Sequence, residues 1–172
     1  MEQKASFWKP ALIYGAILGF VSILFGVIFY IANLYTSSWT QWVSMIISLA
    51  VMIYCLLAYR NEYLGGYGTY TQIFLMALAI GVIATILSSI YSYILMGIID
   101  TELIDKMRLV QEEKLMSKFP ESAHEVIQER LDKSFQLNRM MVTGLIGGII
   151  GNAVVGLIAA AFIKKEETPA EL

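Results

Sequence analysis

Four long apolar stretches separated by short polar ones set the pattern of the chain, at about residues 11–33, 40–59, 70–99 and 140–163. About 20 apolar residues suffice to cross a bilayer as a helix. A helix also pairs every backbone polar group within itself, as hydrocarbon requires. No Asp, Glu, Lys, Arg or His falls within any of the four stretches.

The pattern changes at Asp100. From there to Arg139 the chain holds nine acidic and seven basic residues and its single histidine. Apolar positions in this stretch recur at helical spacing, which predicts two amphipathic helices over about 101–118 and 121–138. Leu103, Ile104, Met107 and Val110 share one side of the first. Ala123, Ile127, Leu131 and Phe135 fall four apart on the second. Pro120 separates them, and Ser122 with Glu125 has the spacing of a capping box. Glu102–Lys106 and Glu129–Lys133 are favourable pairs one turn apart. No helix breaker stands between Gly97 and Pro120, or between Glu121 and Met140. The third and fourth spans are therefore expected to run on as an antiparallel hairpin over 101–138, with its tip near Phe119–Pro120. At 1.5 Å per residue it would project by about 25–30 Å. The expected fold class is all-α: one domain over 1–172, an integral membrane bundle of four transmembrane helices with that hairpin between helices 3 and 4.

Small residues mark how the helices pack. In the last span Gly144, Gly148, Asn152, Gly156 and Ala160 repeat every four positions, leaving one side of the helix nearly bare. Such a groove admits a second helix backbone where lipid supplies no hydrophobic drive between helices. In the first span Gly15 and Gly19 form a GxxxG continued by Ser22 and Gly26, a candidate mate for the last helix. The plainer reading is that glycine is frequent in membrane helices anyway. In the third span Ala77, Gly81, Thr85 and Ser89 form another small face. Ser88, Ser89 and Ser92 could bond to preceding carbonyls or pack across helices, and a polar path for a solute is the less favoured alternative.

Composition agrees with a membrane protein: of 172 residues 58% are hydrophobic and 15% charged, where a soluble domain carries about 25% charge. A net charge of −2 gives no ground for nucleic acid as a partner. The lone cysteine, Cys55, forms no internal disulfide and reads as a small buried hydrophobe. The run from Ala11 to Ile31 is too long for the core of a signal peptide, so it is expected to be a retained first span. Pro10 suits its first turn. Tyr30, Tyr35, Trp39 and Trp42 would sit in an interfacial aromatic belt. Lys4 and Lys9 before the first span, Arg60 after the second, and Lys164–Lys165 after the last share a side, which the positive-inside rule places in the cytoplasm. The seven Lys and Arg of the hairpin pull the other way, yet termini inside and hairpin outside is the expected topology of an inner-membrane protein. A short disordered tail is expected after Ile163.

Candidate chemistry is sparse. Glu121-Ser-Ala-His124 has di-iron spacing, and His124-Glu125 starts like a zinc motif, but the chain has no second histidine to complete either. Gly65, Gly66 and Gly68 lack the Lys-Ser/Thr of a phosphate loop and read as a turn. Proton pumps and most ion paths place ionisable groups at mid-membrane, and the spans have none. Asn152, the one mid-span amide, reads as interhelical glue rather than a ligand. Asp100 is expected to cap the hairpin helix or sit at the interface. Arg60, Glu62 and Tyr63 are too few to define a reaction. No cofactor, no metal and no enzymatic activity are expected.

Lys9-Pro10-Ala-Leu-Ile-Tyr14-Gly15-x-x-x-Gly19 opens the first helix. Arg60 and Gly65-Gly66-x-x-x-Tyr70-x-Gln72-x-Phe74 join the second to the third. Asp100 precedes the charged hairpin, and Lys164-Lys165 ends the glycine-rich last helix. In this order the motifs resemble a family of bacterial membrane proteins, domain of unknown function 4199. The resemblance covers nearly the whole chain and implies a four-helix inner-membrane protein, with no activity or site to carry over. The expected role is structural or interactive, in contact with the lipid bilayer and with a second copy or an envelope protein through 101–138. The alternative is an oligomeric transporter or channel for a small solute.

Overall fold

The computed structural model describes residues 7–165. The expectations for Lys4 and for the tail from Glu166 onward lie outside the described residues. Four helices are long and apolar enough to cross a membrane: α1 (Trp8–Ile31), α2 (Ser38–Tyr63), α3 (Tyr70–Ile94) and α6 (Leu137–Ile163). A π-turn, Leu95–Ile99, prolongs α3. Between α3 and α6 stand α4 (Leu103–Met116), a 3₁₀ turn at Glu121–Ala123, and α5 (His124–Ser134).

Local chemistry explains the turns. Pro10 lies in the first turn of α1, where a backbone N–H would have no partner in any case. Gly65 (φ +65°) and Gly66 (φ +91°) take left-handed backbone that side chains disfavour, and so end α2 sharply. Thr69 and Gln72 cap α3 reciprocally, each satisfying the other's backbone N–H.

Two expected continuities do not form. The chain leaves helical geometry at Asp100 (φ −136°, ψ 84°), where the Asp100 carboxylate accepts a hydrogen bond from Tyr30 (3.2 Å) and pairs with Lys106 (3.5 Å). It breaks again at Phe135–Gln136, where Gln136 is extended (ψ 132°) and Phe135 turns in beside Tyr35 and Met107. At both places tertiary contacts outweigh weak local propensity. Asp100 makes no side-chain cap, since α4 starts after Glu102. The Ser122–Glu125 capping box is also absent; Pro120 and a 3₁₀ turn lead into α5 instead.

The amphipathic faces pack as their periodicity predicts: Leu103 and Leu131 are buried, and Ile104 and Met107 pack beside Leu103. α4 and α5 touch through an Arg108–Asp132 ion pair and a Gln128–Glu112 hydrogen bond. Lys106 also reaches Glu102, and Lys133 reaches Glu129, one turn away in each case.

Candidate functional site

α3 is the element that places everything else. Its two faces receive α1 and α6 where those helices carry glycine. A methyl added at Gly15 would meet Ile83 at 2.7 Å, at Gly19 Leu87 at 2.8 Å, and at Gly26 Tyr91 at 3.0 Å. The glycine face of α1 is thus filled by α3 and not by the last helix, which corrects the expected pairing of first and last spans. On α6, Gly148 lies under Thr85 and Gly156 under Ala77, with 2.6 and 2.8 Å left for a methyl carbon. Gly81 faces Asn152 so closely that no methyl fits. Gly144 differs from the other glycines named for packing, because its Cβ direction is open. The physical reason for the exchange of partners is shape: the branched side chains of Ile83 and Leu87 are knobs of the size the α1 groove accepts.

Between these contacts a cavity of about 360 Å³ remains. All four spans line it. Ser22 comes from α1, Ser48 from α2, and Thr85, Ser88, Ser89 and Ser92 from α3; Gly144, Gly148 and Asn152 come from α6. The lining of the cavity runs from the middle of the helices, at Ser22, Ser48, Thr85 and Asn152, toward their α4 end, at Ser92, Met96, Met140 and Met141. No ionisable side chain lines it.

Part of its polar lining is satisfied internally. Ser22 donates to the Leu18 carbonyl (2.8 Å) and Thr85 to the Gly81 carbonyl (2.7 Å), both one turn back. The Asn152 amide nitrogen donates to Thr85 Oγ1 (3.2 Å) and to the Gly148 carbonyl (2.9 Å). Asn152 thus links α6 to α3 through Thr85. The Ser48, Ser88 and Ser89 hydroxyls and Asn152 Oδ1 have no hydrogen-bond partner among the described residues. In hydrocarbon an unpaired polar group is costly.

Apolar clusters flank the cavity at both ends. Toward α4 lie Leu95, Met96, Leu103, Met140 and Met141, with Tyr30, Tyr35 and Tyr91 packed against them. Burial pushes the Tyr35 hydroxyl above the ordinary phenol range, and a hydrogen bond from Ser92 opposes that shift, so Tyr35 stays protonated. Toward the other end Met52, Cys55, Leu56 and Tyr59 of α2 meet Met76, Ile80, Ala159 and Ala160. Cys55 is fully buried there, with Sγ 3.9 Å from the Tyr14 carbonyl.

Beyond that second cluster the loops interlock. Arg60 Nη1 donates to the Ile163 carbonyl (2.9 Å), a cation placed at the negative end of α6. Gly68 and Lys165 exchange backbone hydrogen bonds (2.8 and 3.0 Å), and the Lys165 ammonium lies 5.3 Å from the centre of the Tyr67 ring. Tyr14 donates to Glu62 (2.8 Å) and Tyr70 to the Leu157 carbonyl (3.3 Å). The motifs at Tyr14, Arg60, Gly65–Gly66, Tyr70–Gln72 and Lys165 are therefore joined at one end of the bundle. Residues 13–165 match the family described as "Protein of unknown function (DUF4199)". The chain belongs to that family. No curated protein and no solved structure matches it.

In this DUF4199 chain, sequence reasoning found Ser22, Thr85, Ser88, Ser89, Ser92 and Asn152 separately, as small or polar members of helix faces. It missed Ser48, the α2 contribution, although Thr40, Ser44 and Ser48 repeat every four residues and mark a small polar face on α2. His124 was read as solvent-facing and is half-buried, its Nε2 3.2 Å from the Phe119 carbonyl across the Pro120 turn.

Proposed function

We propose that this DUF4199 chain is a non-enzymatic inner-membrane protein that holds a neutral, hydrogen-bonding ligand in the serine-lined cavity. The observation that carries this reading is the set of unpaired oxygens, Ser48, Ser88, Ser89 and Asn152 Oδ1, facing one cavity between the four spans. These side chains are half-exposed, so their donors and acceptors face the cavity and are free to meet something that enters. The cavity volume lies within the range of about 300–1,000 Å³ typical of small-molecule sites. Its lining holds hydroxyls but no ionisable side chain to activate them as nucleophiles or to ligate a metal, which supports binding rather than catalysis. Apolar clusters packed at both ends of the cavity favour binding over conduction of a solute across the membrane.

The termini and the Arg60 loop lie on the cytoplasmic side in this reading, and α4–α5 project from the opposite face as a hairpin. A second role is favoured by the exposure of Leu109, Phe119 and Val126 among the charges of that segment. These residues give an envelope protein, or a second copy, an apolar patch to meet.

The test is thermal unfolding of the purified full chain in mild detergent against neutral and ionised small ligands. Binding to the folded state at about 100 times Kd stabilises by about 2.7 kcal/mol. Neutral alcohols and esters are expected to raise the midpoint, and less so in a Ser88→Ala, Ser89→Ala double variant. Equal effects on that variant and the parent, or no neutral ligand acting at all, would overturn the reading.

A further inference from the structure

The apolar clusters that flank the cavity, and the helix edge between them, bear on how a ligand arrives. α2 and α6 converge where Met52, Cys55 and Leu56 share a core with Ala159, Ala160 and Ile163. The cluster at the α4 end draws on α1, α3, α4 and α6 and contains no residue of α2. The helices that bound the cavity therefore part on the α2–α6 side. Gly144, one turn before Gly148, lines the cavity, is exposed, and has no heavy atom within 4 Å of its Cβ direction. The edge faces hydrocarbon, since Met45 and Ile46 of α2 and Ile146 and Ile150 of α6 are exposed apolar side chains at similar depth.

We infer that the cavity receives the head of a neutral, bilayer-borne amphiphile, bearing hydroxyl or ester carbonyl oxygens, which enters sideways between α2 and α6 past Gly144. This rests on the binding role proposed above and adds the ligand class and the route. The chemistry selects the class. Ser48, Ser88 and Ser89 each donate and accept, so hydroxyl and carbonyl oxygens both find partners. An ionised head would meet no counter-charge in the cavity or in any span, and a bare charge at that depth is strongly disfavoured. The acyl chain of an amphiphile remains in lipid along the Met45–Ile46 and Ile146–Ile150 edge, so only the head needs the volume of the cavity.

The experiment uses the full chain in phosphatidylcholine vesicles at pH 8 with a photoactivatable long-chain alcohol, and maps the cross-linked peptides. Diacylglycerol and glycerol are the competitors, and a photoactivatable fatty acid of the same length is the charged comparison. The alcohol is expected to label peptides containing Ser88–Ser89 and Gly148–Asn152, with diacylglycerol displacing it. Gly144→Leu is expected to lower that labelling about tenfold by filling the open edge. Gly147→Leu, also at an open Cβ position but outside the cavity lining, is expected to leave it unchanged. Equal labelling by the ionised acid would overturn the ligand class. Displacement by glycerol and not by diacylglycerol would overturn the lateral route while leaving cavity binding intact. Equal loss in both glycine variants would also overturn the route. Absence of any cavity labelling in the unaltered chain would overturn the inference and the binding role together.

Discussion

Gly156→Ala is the sharpest perturbation of the α3–α6 contact. The new methyl carbon would lie 2.8 Å from Ala77 Cβ, whereas non-bonded carbons rest at about 3.5–4.0 Å. Ala77 is completely buried, and its Cβ is fixed to the α3 backbone, so no rotamer relieves the clash. The helices must separate by about 1 Å. A gap of that size forfeits a quarter to a half of each carbon contact, itself worth about 0.1–0.2 kcal/mol. Summed over some tens of atom pairs along the interface, the loss is about 1–3 kcal/mol, the usual range for overpacking. Alanine also favours helix over glycine by about 1 kcal/mol, which partly offsets the loss. Gly147→Ala removes that ambiguity, since its Cβ direction is empty on the same helix and it carries the propensity gain alone. The two variants are expected to differ by about 1–3 kcal/mol, with Gly147→Ala the more stable. The assay is reversible unfolding in mixed micelles by SDS titration, followed by far-UV circular dichroism. Agreement of the two variants within about 0.5 kcal/mol would refute the close packing of Gly156 on Ala77.

Arg60→Met removes the cation from the Ile163 carbonyl and is expected to cost about 1 kcal/mol, Arg60 being half exposed; hydrogen exchange at the Lys164 and Lys165 amides should quicken, and an unchanged rate would remove the proposed cap. Native Cys55, fully buried, is expected to resist maleimide in folded protein, whereas a Cys55→Ser, Ser122→Cys chain should label from outside intact cells with an impermeant maleimide. Protection of that cysteine until lysis would invert the topology. Asp132→Asn breaks the ion pair to Arg108. Both partners are partly exposed, so global stability should fall by less than about 1 kcal/mol, while amides of His124–Ser134 exchange faster; unchanged exchange there would show that the pair does not hold α5 to α4.

The spans were legible in the sequence because their cause is local. An uncharged apolar run of sufficient length forms a helix in lipid whatever its neighbours do, and α1, α2, α3 and α6 each appear where hydropathy places them, to within a few residues. The faces of α4 and α5 follow for the same reason, as Leu103 and Leu131 show. Partner choice is a different kind of information. A glycine step records that some backbone approaches closely, but every small-residue groove offers lipid-soluble neighbours the same invitation. Only the shapes of Ile83, Leu87 and Tyr91 decide that α1 packs on α3, and only Thr85, Gly81 and Ala77 decide where α6 lies. The breaks at Asp100 and Gln136 likewise answer to Tyr30, Lys106 and the pocket around Phe135, all distant in sequence. The cavity is the extreme case. Its hydroxyls come from three helices, four of them from α3, and nothing in their spacing relates Ser48 to Ser88. They share a site because α3, packed by glycine on two faces, holds the other helices at fixed separations and leaves a polar space that none of their side chains fills.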